Sequence, residues 1–327
     1  MFQLREGTAV TAASSGVEIS SVSVSDVPTK SENEVYPGVF ESYWDWKGYK
    51  IRYQRCGSEG DTLLLVHGFG GNADHWRKNT PALASKGFRV YAIDLLGYGF
   101  SDKPDPKNGP PNSLYSFETW GDQLSTFLTE VAQSPAVLIC NSVGGLAGLQ
   151  AAVMRPDLVK GVQLLDISLR GLHVKRTSPL LRPFVATLQK VLRETDIGKA
   201  FFGSVATPQA VRNILREAYG RKEAVTDELV DKILSPGLLP GAVDVFLDFI
   251  CYSGGPLPEE LLEKTRVPVS MLWGEKDPWE DMKKGRDLFS GYPCVKEFVP
   301  LPGIGHCPQD EAPELVNPLI EKFARSV

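Results

Sequence analysis

The sequence predicts an α/β fold: a mostly parallel, eight-stranded sheet with helices on both faces and a helical cap inserted after the sixth strand. Short apolar runs rich in branched residues alternate with helical patterns as far as residue 167, which is typical of a parallel sheet covered on both faces. The segment 168–262 carries almost only helical patterns, and apolar strand runs resume after it. We therefore assign residues 39–167 and 263–327 to a core and residues 168–262 to a cap.

The composition excludes several classes of protein. With 327 residues, 42% hydrophobic and 23% charged, the chain is long enough for one large α/β domain that carries an insertion. A net charge of −5 and a pI near 5.6 give no basic surface for nucleic acid. No apolar run approaches the roughly 18 residues that cross a bilayer. Five cysteines without regular spacing, no CxxC and no paired histidines indicate a reducing compartment and no metal site. No cofactor is predicted.

Residues 1–38 are rich in serine, threonine and valine, and they show neither helical periodicity nor a secretory apolar region. Their serine content is typical of a transit peptide, whereas Glu6, Glu18 and Asp26 and the small number of basic residues are not. We interpret this stretch as a disordered leader or the remnant of a transit peptide. Ordered structure is expected to begin near Val39.

Eight strands are predicted in chain order. The first two form a hairpin across Lys47-Gly48, the next four are short apolar runs, and the strand pattern resumes with the last two. The predicted strands are 41–46, 49–55, 62–66, 88–93, 136–140, 162–165, 267–273 and 295–301.

Helical patterns fill the intervals between the strands. Apolar residues recur on one side of the segment 117–131, which predicts a helix leading into strand 136–140. In the cap, an apolar stripe from Leu180 to Leu192 predicts a helix packed into a core. A final helix is predicted over residues 313–324.

The segment 135–154 has the pattern of a nucleophile elbow. An apolar strand run turns through Asn141-Ser142-Val143-Gly144-Gly145 into a helix with small residues at its start. A serine on such a tight turn exposes its hydroxyl above the sheet, and small neighbours let the helix return close to the strand. Glycine is usual two residues before the serine, and this chain has Cys140 there. Cysteine is still small, so we predict that Ser142 is the nucleophile.

Further polar residues follow other predicted strands, and the carboxyl ends of parallel strands are where functional groups gather. Asp277 follows strand 267–273, and His306 follows strand 295–301. A serine hydroxyl needs a base within hydrogen-bond reach, which His306 supplies, and Asp277 orients that imidazole. The glycine-rich loop after strand 62–66 and the turn after the elbow serine offer two backbone donors. We assign the oxyanion hole to the N–H groups of Phe69 and Val143.

Asp166 is the alternative acid, because it also ends a strand. Three further histidines receive supporting or neutral assignments. His67 is expected to support the oxyanion loop, and His75 to lie on a helix surface. His173 is expected at the surface near the start of the cap, with a contact to substrate as the alternative.

The chain order serine, aspartate, histidine is that of α/β-hydrolases, and from about residue 39 to residue 323 the sequence resembles that superfamily. Two blocks are more specific, and they look like the corresponding blocks of pheophytinases and chlorophyll dephytylases, serine esterases that release phytol from chlorophyll-type pigments. The general matches are HGFGG (67–71), DLLGYGFSDKP (94–104) and NSVGG (141–145), and the specific ones are GEKDPWE (274–280) and GHCPQDEAPE (305–314).

The resemblance implies a serine carboxylic-ester hydrolase that acts on a large apolar ester through an acyl-enzyme, and a chloroplast location in place of a cytoplasmic one. Two alternatives stay open: an esterase, thioesterase or C–C hydrolase with another apolar substrate, or a small-molecule receptor that retains the triad. Haloalkane dehalogenases and epoxide hydrolases of this fold use aspartate at the elbow, so neither activity is expected with Ser142. The expected partner is a small-molecule ester, with no nucleic acid and no transmembrane segment. The oligomeric state is left open.

Overall fold

The computed structural model describes residues 33–109 and 113–327. The predicted leader therefore lies mostly outside the described residues. Its last part does not, because strand β1 spans Asn33–Tyr36 and pairs antiparallel with the next strand. Ordered structure thus begins before Val39, earlier than the sequence suggested.

The described residues form one nine-stranded sheet in the order β1-β2-β3-β5-β4-β6-β7-β8-β9. The first three strands and the β3–β5 pair are antiparallel, and the remaining pairs are parallel. The predicted count of eight is one too low because β1 was missed, so the cap follows the seventh strand. The remaining strands are β2 Val39–Trp46, β3 Tyr49–Cys56, β4 Thr62–Val66, β5 Arg89–Ile93, β6 Ala136–Asn141, β7 Val159–Leu165, β8 Val269–Gly274 and β9 Val295–Leu301.

Twelve α-helices accompany the sheet in the described residues. The helix predicted over 313–324 has those ends, whereas the helix predicted over 117–131 ends its α-helical part at Phe127 and continues as a π-helical turn. The helices are α1 Thr80–Ala84, α2 Phe117–Phe127, α3 Val143–Met154, α4 Arg182–Glu194, α5 Asp196–Val205, α6 Pro208–Ala218, α7 Asp227–Gly237, α8 Ala242–Ile250, α9 Pro258–Lys264, α10 Met282–Phe289, α11 Pro308–Glu311 and α12 Pro313–Ala324.

Two apolar clusters cover the two faces of the sheet. Leu64 of β4 packs in the cluster that contains side chains of α2 and α3, whereas its neighbour Leu65 packs in the cluster that contains side chains of α1 and α12. Alternate residues of a strand point to opposite faces, so an apolar run such as β4 is buried on both sides. This layering confirms the predicted α/β architecture and leaves the carboxyl ends of the parallel strands together at one edge.

Helices α4 to α9 lie between β7 and β8. The last of them, α9, crosses the predicted cap boundary at residue 262 and packs against α3 and α10, so its contacts place it with the core helices. The apolar stripe of α4 does not pack into a core as predicted: α4 has no buried residue. Leu181, Phe184 and Leu188 are 56%, 69% and 49% exposed.

Within the described residues, no single helix has the length and apolarity needed to span a bilayer, and α7 with α8 meets that test only as a pair bent by 93°.

Candidate active site

Ser142 occupies a strained backbone position between β6 and α3. Its φ of 54° and ψ of −123° lie in a region that non-glycine residues rarely adopt. A Cβ on Gly68 would lie 2.9 Å from Ser142 Cβ, and a Cβ on Gly144 would lie 2.3 Å from the carbonyl oxygen of His67. Both glycines are therefore required by close approach, as the predicted elbow demands.

Cys140, the departure from the usual elbow pattern, is matched by a glycine on the facing helix. The side chain of Cys140 is fully buried, and a Cβ on Gly148 would lie 2.5 Å from its Sγ. The larger strand residue is accommodated because α3 has no side chain at the point of contact. The pair thus keeps the short strand-to-helix distance that the elbow needs.

A double-mutant cycle tests this complementarity. Gly148→Ala is expected to destabilise the protein by about 1–2 kcal/mol, because overpacking a core costs more than the roughly 1 kcal/mol that alanine gains over glycine in a helix. In a Cys140→Ala background the obstructing sulfur is gone, so the same change should be neutral or stabilising by up to about 1 kcal/mol. Denaturant unfolding measures each free energy.

Gly203 of α5 provides the control, because a Cβ there meets nothing within 4 Å. Gly203→Ala should stabilise the protein or leave it unchanged in both backgrounds. Equal costs of Gly148→Ala with and without the Cys140 sulfur would contradict the proposed fit.

His306 joins the other two predicted triad residues. Its Nε2 lies 2.9 Å from Ser142 Oγ, and its Nδ1 lies 2.7 Å from Asp277 Oδ2. The side chain of His306 is 6% exposed, and that of Asp277 is fully buried. These distances lie within hydrogen-bond reach, so a proton on Nδ1 is held by Asp277 and Nε2 is left to accept the hydroxyl proton of Ser142.

The orientation of Asp277 is fixed by its own loop. Its Oδ1 accepts the backbone N–H groups of Trp279 at 2.9 Å and Glu280 at 3.0 Å. Because these donors occupy Oδ1, Oδ2 is presented to His306. The ring of Trp279 lies edge-on to the imidazole, with centroids 4.9 Å apart, so the same loop also covers one side of His306.

Asp166 ends β7 and is fully buried. Its Oδ1 accepts the N–H of Gly274 at 2.8 Å. Burial and the neighbouring Asp277 raise the pKa of Asp166 well above its usual range. Its Oδ2 has no hydrogen-bond partner among the described residues. Asp277, not Asp166, therefore contacts His306.

These three residues are also the one group in the described part of the chain with the spacing of metal ligands. One donor atom each from Asp166, Asp277 and His306 lies within 4.8 Å of the others. The Nδ1 of His306 and a carboxylate oxygen of Asp277 are already joined by a hydrogen bond. The arrangement fits a carboxylate that orients an imidazole better than a cation site, and we propose no metal there.

The two predicted oxyanion donors flank Ser142. Val143 is the first residue of α3, so its N–H precedes the helical hydrogen-bond ladder. Phe69 lies in the loop after β4, beside Gly68, which packs directly on Ser142. Neither N–H donates to a backbone carbonyl in the loops and turns that the structure describes. Both groups are thus available to a ligand oxygen.

His67 supports this loop as predicted. Its Nε2 accepts the N–H of Leu95 at 3.1 Å, and its Nδ1 lies 2.7 Å from the carbonyl oxygen of Gly68. This pattern requires the proton on Nδ1, which donates to Gly68. Burial lowers the pKa of His67, which favours the neutral ring. Its two hydrogen bonds hold the loop after β4 against Leu95.

The loop that carries His306 is tied to the cap. The N–H of His306 donates to the carbonyl oxygen of Ala218, the last residue of α6, at 2.9 Å. A Cβ on Gly305 would lie 2.1 Å from that same oxygen. On the core side, the side chain of Asn141 donates to the carbonyl oxygen of His306 at 3.0 Å. His306 is therefore held by hydrogen bonds from both the cap and the core.

Two histidines predicted at the surface are buried. His75 is 4% exposed, and its Nε2 lies 2.9 Å from the hydroxyl of Tyr219, which donates to Asp310 at 3.0 Å. Burial lowers the pKa of His75 to about 4. His173 is 2% exposed and lies 3.0 Å from the carbonyl oxygen of Gly255. Both predictions were wrong because single polar residues carry no periodic signal of burial.

A cavity of about 1030 Å³ opens above Ser142 and His306. Its walls come from the loop after β4, the cap and the loop after β8 that carries Asp277. The ring of Phe69 stacks on Phe249 with centroids 5.3 Å apart and lies 5.3 Å from Phe246. A largely apolar wall with few polar groups is suited to a large apolar ligand. The aromatic side chains that line the cavity are Phe69, Phe202, Phe246, Phe249, Tyr252 and Trp279.

Two charged residues at the cavity wall were not singled out from the sequence. Glu280 accepts hydrogen bonds from Ser168 Oγ at 2.8 Å and Leu169 N at 2.9 Å, and burial raises the pKa of its carboxyl. The guanidinium of Arg170 lies over the ring of Tyr252 and donates to its carbonyl oxygen at 2.9 Å. Both residues anchor the start of the cap. Glu280 is the last residue of the GEKDPWE block, and its place in that block was the only feature of the sequence that pointed to a role at the site.

Residues 61–313 match the alpha/beta hydrolase fold family. Over 95% of its length the chain is 27% identical to the chloroplastic pheophytinase of Arabidopsis thaliana, of which it covers 71%. It is 34% identical to bifunctional epoxide hydrolase 2 of Rattus norvegicus over 85% of the chain and 54% of that protein. It is 24% identical to the (lyso)-N-acylphosphatidylethanolamine lipase of Homo sapiens over 81% of the chain and 79% of that protein.

Solved structures agree on the fold. A serine hydrolase involved in carbazole degradation is similar with a TM-score of 0.70 at 20% identity, over 88% of this chain and 100% of that one. An epoxide hydrolase from Vigna radiata is similar with a TM-score of 0.69 at 20% identity, over 89% and 99%. At these identities the likeness shows the fold alone, but the family match extends over most of the chain. The chain therefore belongs to the alpha/beta hydrolase fold family and is a hydrolase of that superfamily.

Proposed function

We propose that the protein is a serine carboxylic-ester hydrolase with Ser142 as nucleophile, His306 as general base and Asp277 as the acid that orients it. The observation that carries the proposal is the pair of contacts made by His306, 2.9 Å to Ser142 Oγ and 2.7 Å to Asp277 Oδ2. A hydroxyl, an imidazole and a carboxylate linked in this order form the arrangement that activates an alcohol for acyl transfer.

In the first half-reaction, Ser142 Oγ attacks the ester carbonyl carbon while His306 Nε2 takes the hydroxyl proton. The carbonyl oxygen becomes an oxyanion that accepts the N–H groups of Phe69 and Val143. Asp277 stabilises the imidazolium that forms. His306 then gives its proton to the alkoxide oxygen as the carbon–oxygen bond breaks, and the alcohol leaves an acyl group on Ser142.

In the second half-reaction, water takes the place of the alcohol. His306 removes a proton from the water as its oxygen attacks the acyl carbon, and the same backbone N–H groups receive the second oxyanion. Collapse of this intermediate returns the proton through His306 to Ser142 Oγ and releases the carboxylic acid. The net reaction consumes one water and needs no cofactor.

The cavity and the similarity to pheophytinase support a pigment ester as the substrate. A cavity of about 1030 Å³ lies at the upper end of the usual range of roughly 300–1,000 Å³ for ligand sites. Its aromatic wall suits a long isoprenoid alcohol or a tetrapyrrole. We propose that the protein releases phytol from chlorophyll-type pigments. We also propose that it acts in the chloroplast, because the similar pheophytinase of Arabidopsis thaliana is a chloroplastic protein.

The similarity to epoxide hydrolase 2 points to a different reaction, and the elbow residue separates the two. An epoxide-opening enzyme of this fold is expected to carry aspartate at the elbow, whereas position 142 is serine. The similarity to the (lyso)-N-acylphosphatidylethanolamine lipase leaves a lipid ester as the competing substrate.

The test is product analysis with purified protein and a panel of chlorophyll a, pheophytin a, phospholipid and short aryl esters. The expected result is free phytol and an acidic, dephytylated pigment, detected by chromatography. Cleavage of the other esters with no acidic pigment product would reject the pigment substrate and leave the esterase standing. No turnover of any ester would favour a receptor that retains the triad.

A pair of point variants relates the cavity to substrate size. Ile214 lines the cavity and is 41% exposed, so Ile214→Trp should narrow the cavity without unfolding the protein. We expect it to lower the kcat/KM for the pigment at least about tenfold, the equivalent of 1.36 kcal/mol, and to change aryl-ester hydrolysis much less. Leu315→Trp is the matched control, since Leu315 is 40% exposed on α12 and does not line the cavity.

A further inference from the structure

The unpacked side of α4 belongs to a larger exposed apolar surface. Six apolar side chains of α4, α5 and the preceding loop are between 42% and 91% exposed. Isolated exposed apolar residues are ordinary, but a cluster of large ones marks a site of interaction. We call this cluster the docking face. It comprises Leu180, Leu181, Phe184, Leu188, Ile197 and Phe201.

The segment that carries the docking face is basic, although the chain as a whole is acidic. Residues 170–205 contain seven Lys and Arg and two acidic residues, against a net charge of −5 for the full chain. Lys190 and Lys199 are 72% and 63% exposed, and their acidic neighbours lie 3.9 and 3.5 Å away. Exposed ion pairs of this kind are weak, so both ammonium groups remain available to an anionic surface.

Neighbouring helices neutralise part of this charge. Glu260, Glu259 and Asp248 form ion pairs with basic residues of the segment. When these three carboxylates are counted and Arg170, whose guanidinium lies over Tyr252, is left out, six basic residues stand against five acidic ones. The docking face thus combines exposed apolar side chains with a surplus of positive charge, which is the pattern of helices that lie in the interface of an anionic membrane.

The docking face adjoins the mouth of the cavity. Leu172 is 78% exposed and also lines the cavity. On α5, Phe201 belongs to the docking face, whereas its neighbour Phe202 lines the cavity. The ring of Phe202 lies 5.1 Å from Phe246, another cavity residue. An apolar molecule held in a membrane under the docking face would therefore lie beside the entrance to the cavity.

We propose that the docking face binds the surface of a lipid bilayer that contains anionic lipids and so places the cavity mouth against the membrane. A second copy of this chain is the less suitable occupant. A two-fold interface through this face would oppose two segments of the same positive charge, whereas anionic headgroups attract them. The face also needs no groove in its partner, because its apolar residues protrude.

The proposal is tested by sedimentation of the full chain with two kinds of vesicle, phosphatidylcholine alone and phosphatidylcholine mixed with phosphatidylglycerol. We expect binding to the mixed vesicles and much less to the neutral ones. The double variant Phe184→Ser with Leu188→Ser should weaken binding about tenfold or more, because two apolar side chains no longer enter the interface. The triple variant Arg182→Gln, Lys190→Gln and Lys199→Gln should weaken it to a similar extent.

Matched controls carry the same changes elsewhere on the surface. Leu315→Ser with Met154→Ser replaces two apolar side chains that are 40% and 41% exposed. Lys86→Gln, Lys160→Gln and Lys322→Gln removes three basic charges outside the segment. Both controls should bind the mixed vesicles like the unchanged protein.

A second readout separates docking from catalysis, and it alone rests on the proposed ester hydrolysis. The docking-face variants should cleave a water-soluble aryl ester at the normal rate and an ester embedded in mixed vesicles at least about tenfold more slowly. Equal binding to neutral and mixed vesicles, or no binding to either, would overturn the proposal. A dimer in light scattering that Phe184→Ser with Leu188→Ser dissociates would overturn it in favour of a second copy.

Discussion

Ser142→Ala is expected to lower kcat for ester hydrolysis by about 10⁶-fold, the loss that follows removal of the nucleophile in a serine triad. The fold should not change, because the substitution removes one hydroxyl whose hydrogen-bond partner in the described structure is His306. Initial rates with an aryl ester measure the loss, and thermal unfolding checks the fold. Ser125→Ala is the control: Ser125 is also buried, but its hydroxyl donates to a backbone carbonyl within α2.

His306→Ala should lower kcat by a similar factor, because the hydroxyl of Ser142 is a weak nucleophile when no base takes its proton. The double variant should be little worse than either single variant, since the two residues act as one unit. Losses that multiply in the double variant would mean that Ser142 and His306 act independently, and the proposed mechanism would be wrong.

Asp277→Asn is expected to lower kcat by up to about 10⁴-fold, as the corresponding change does in another serine triad. The backbone donors of Trp279 and Glu280 fix Oδ1 of Asp277, so the replaced Oδ2 position would present an amide to His306. An amide N–H toward Nδ1 favours the tautomer with its proton on Nε2, which then cannot accept a proton from Ser142. The structure should remain intact because asparagine has nearly the same shape.

Asp166→Asn is the matched comparison, and we expect a loss of less than about tenfold, that is less than 1.36 kcal/mol. Burial and the neighbouring Asp277 raise the pKa of Asp166 well above the usual range, which favours the uncharged form that asparagine imitates. The amide oxygen of asparagine can still accept the N–H of Gly274, as Asp166 Oδ1 does. If Asp166→Asn costs 10⁴-fold and Asp277→Asn costs little, the acid has been assigned to the wrong residue.

The elements nearest the proposed chemistry were the most predictable from the sequence. β4 begins and ends where its apolar run does, because a strand buried on both faces leaves a continuous apolar signal. The position of Ser142 followed from the elbow pattern, and those of Asp277 and His306 followed from the rule that functional groups gather at the carboxyl ends of parallel strands. Their mutual distances come from the structure alone.

Features that depend on what packs against a segment were not predictable. The stripe of α4 has helical periodicity, but periodicity cannot tell whether a partner covers the apolar side, and Phe184 is 69% exposed. β1 was missed because Asn33–Tyr36 contains two polar residues among four and is identified only by its pairing with β2. The burial of His75 arises from Tyr219, which is 144 residues away, and no local pattern carries that information.

The hydrogen bond from the N–H of His306 to Ala218 has a consequence for how this enzyme can diversify. The cap, which forms much of the cavity wall, also holds the loop that carries His306 in place. A change of the cap that alters the substrate is therefore expected to affect catalysis as well. In a chimera with a foreign insertion in place of residues 168–262, the N–H of His306 would lose its acceptor. It would keep one only if the new insertion placed a carbonyl oxygen where Ala218 has one. New specificities should therefore arise by stepwise side-chain replacement at positions such as Ile214 and Phe246, and wholesale exchange of the insertion should yield inactive proteins.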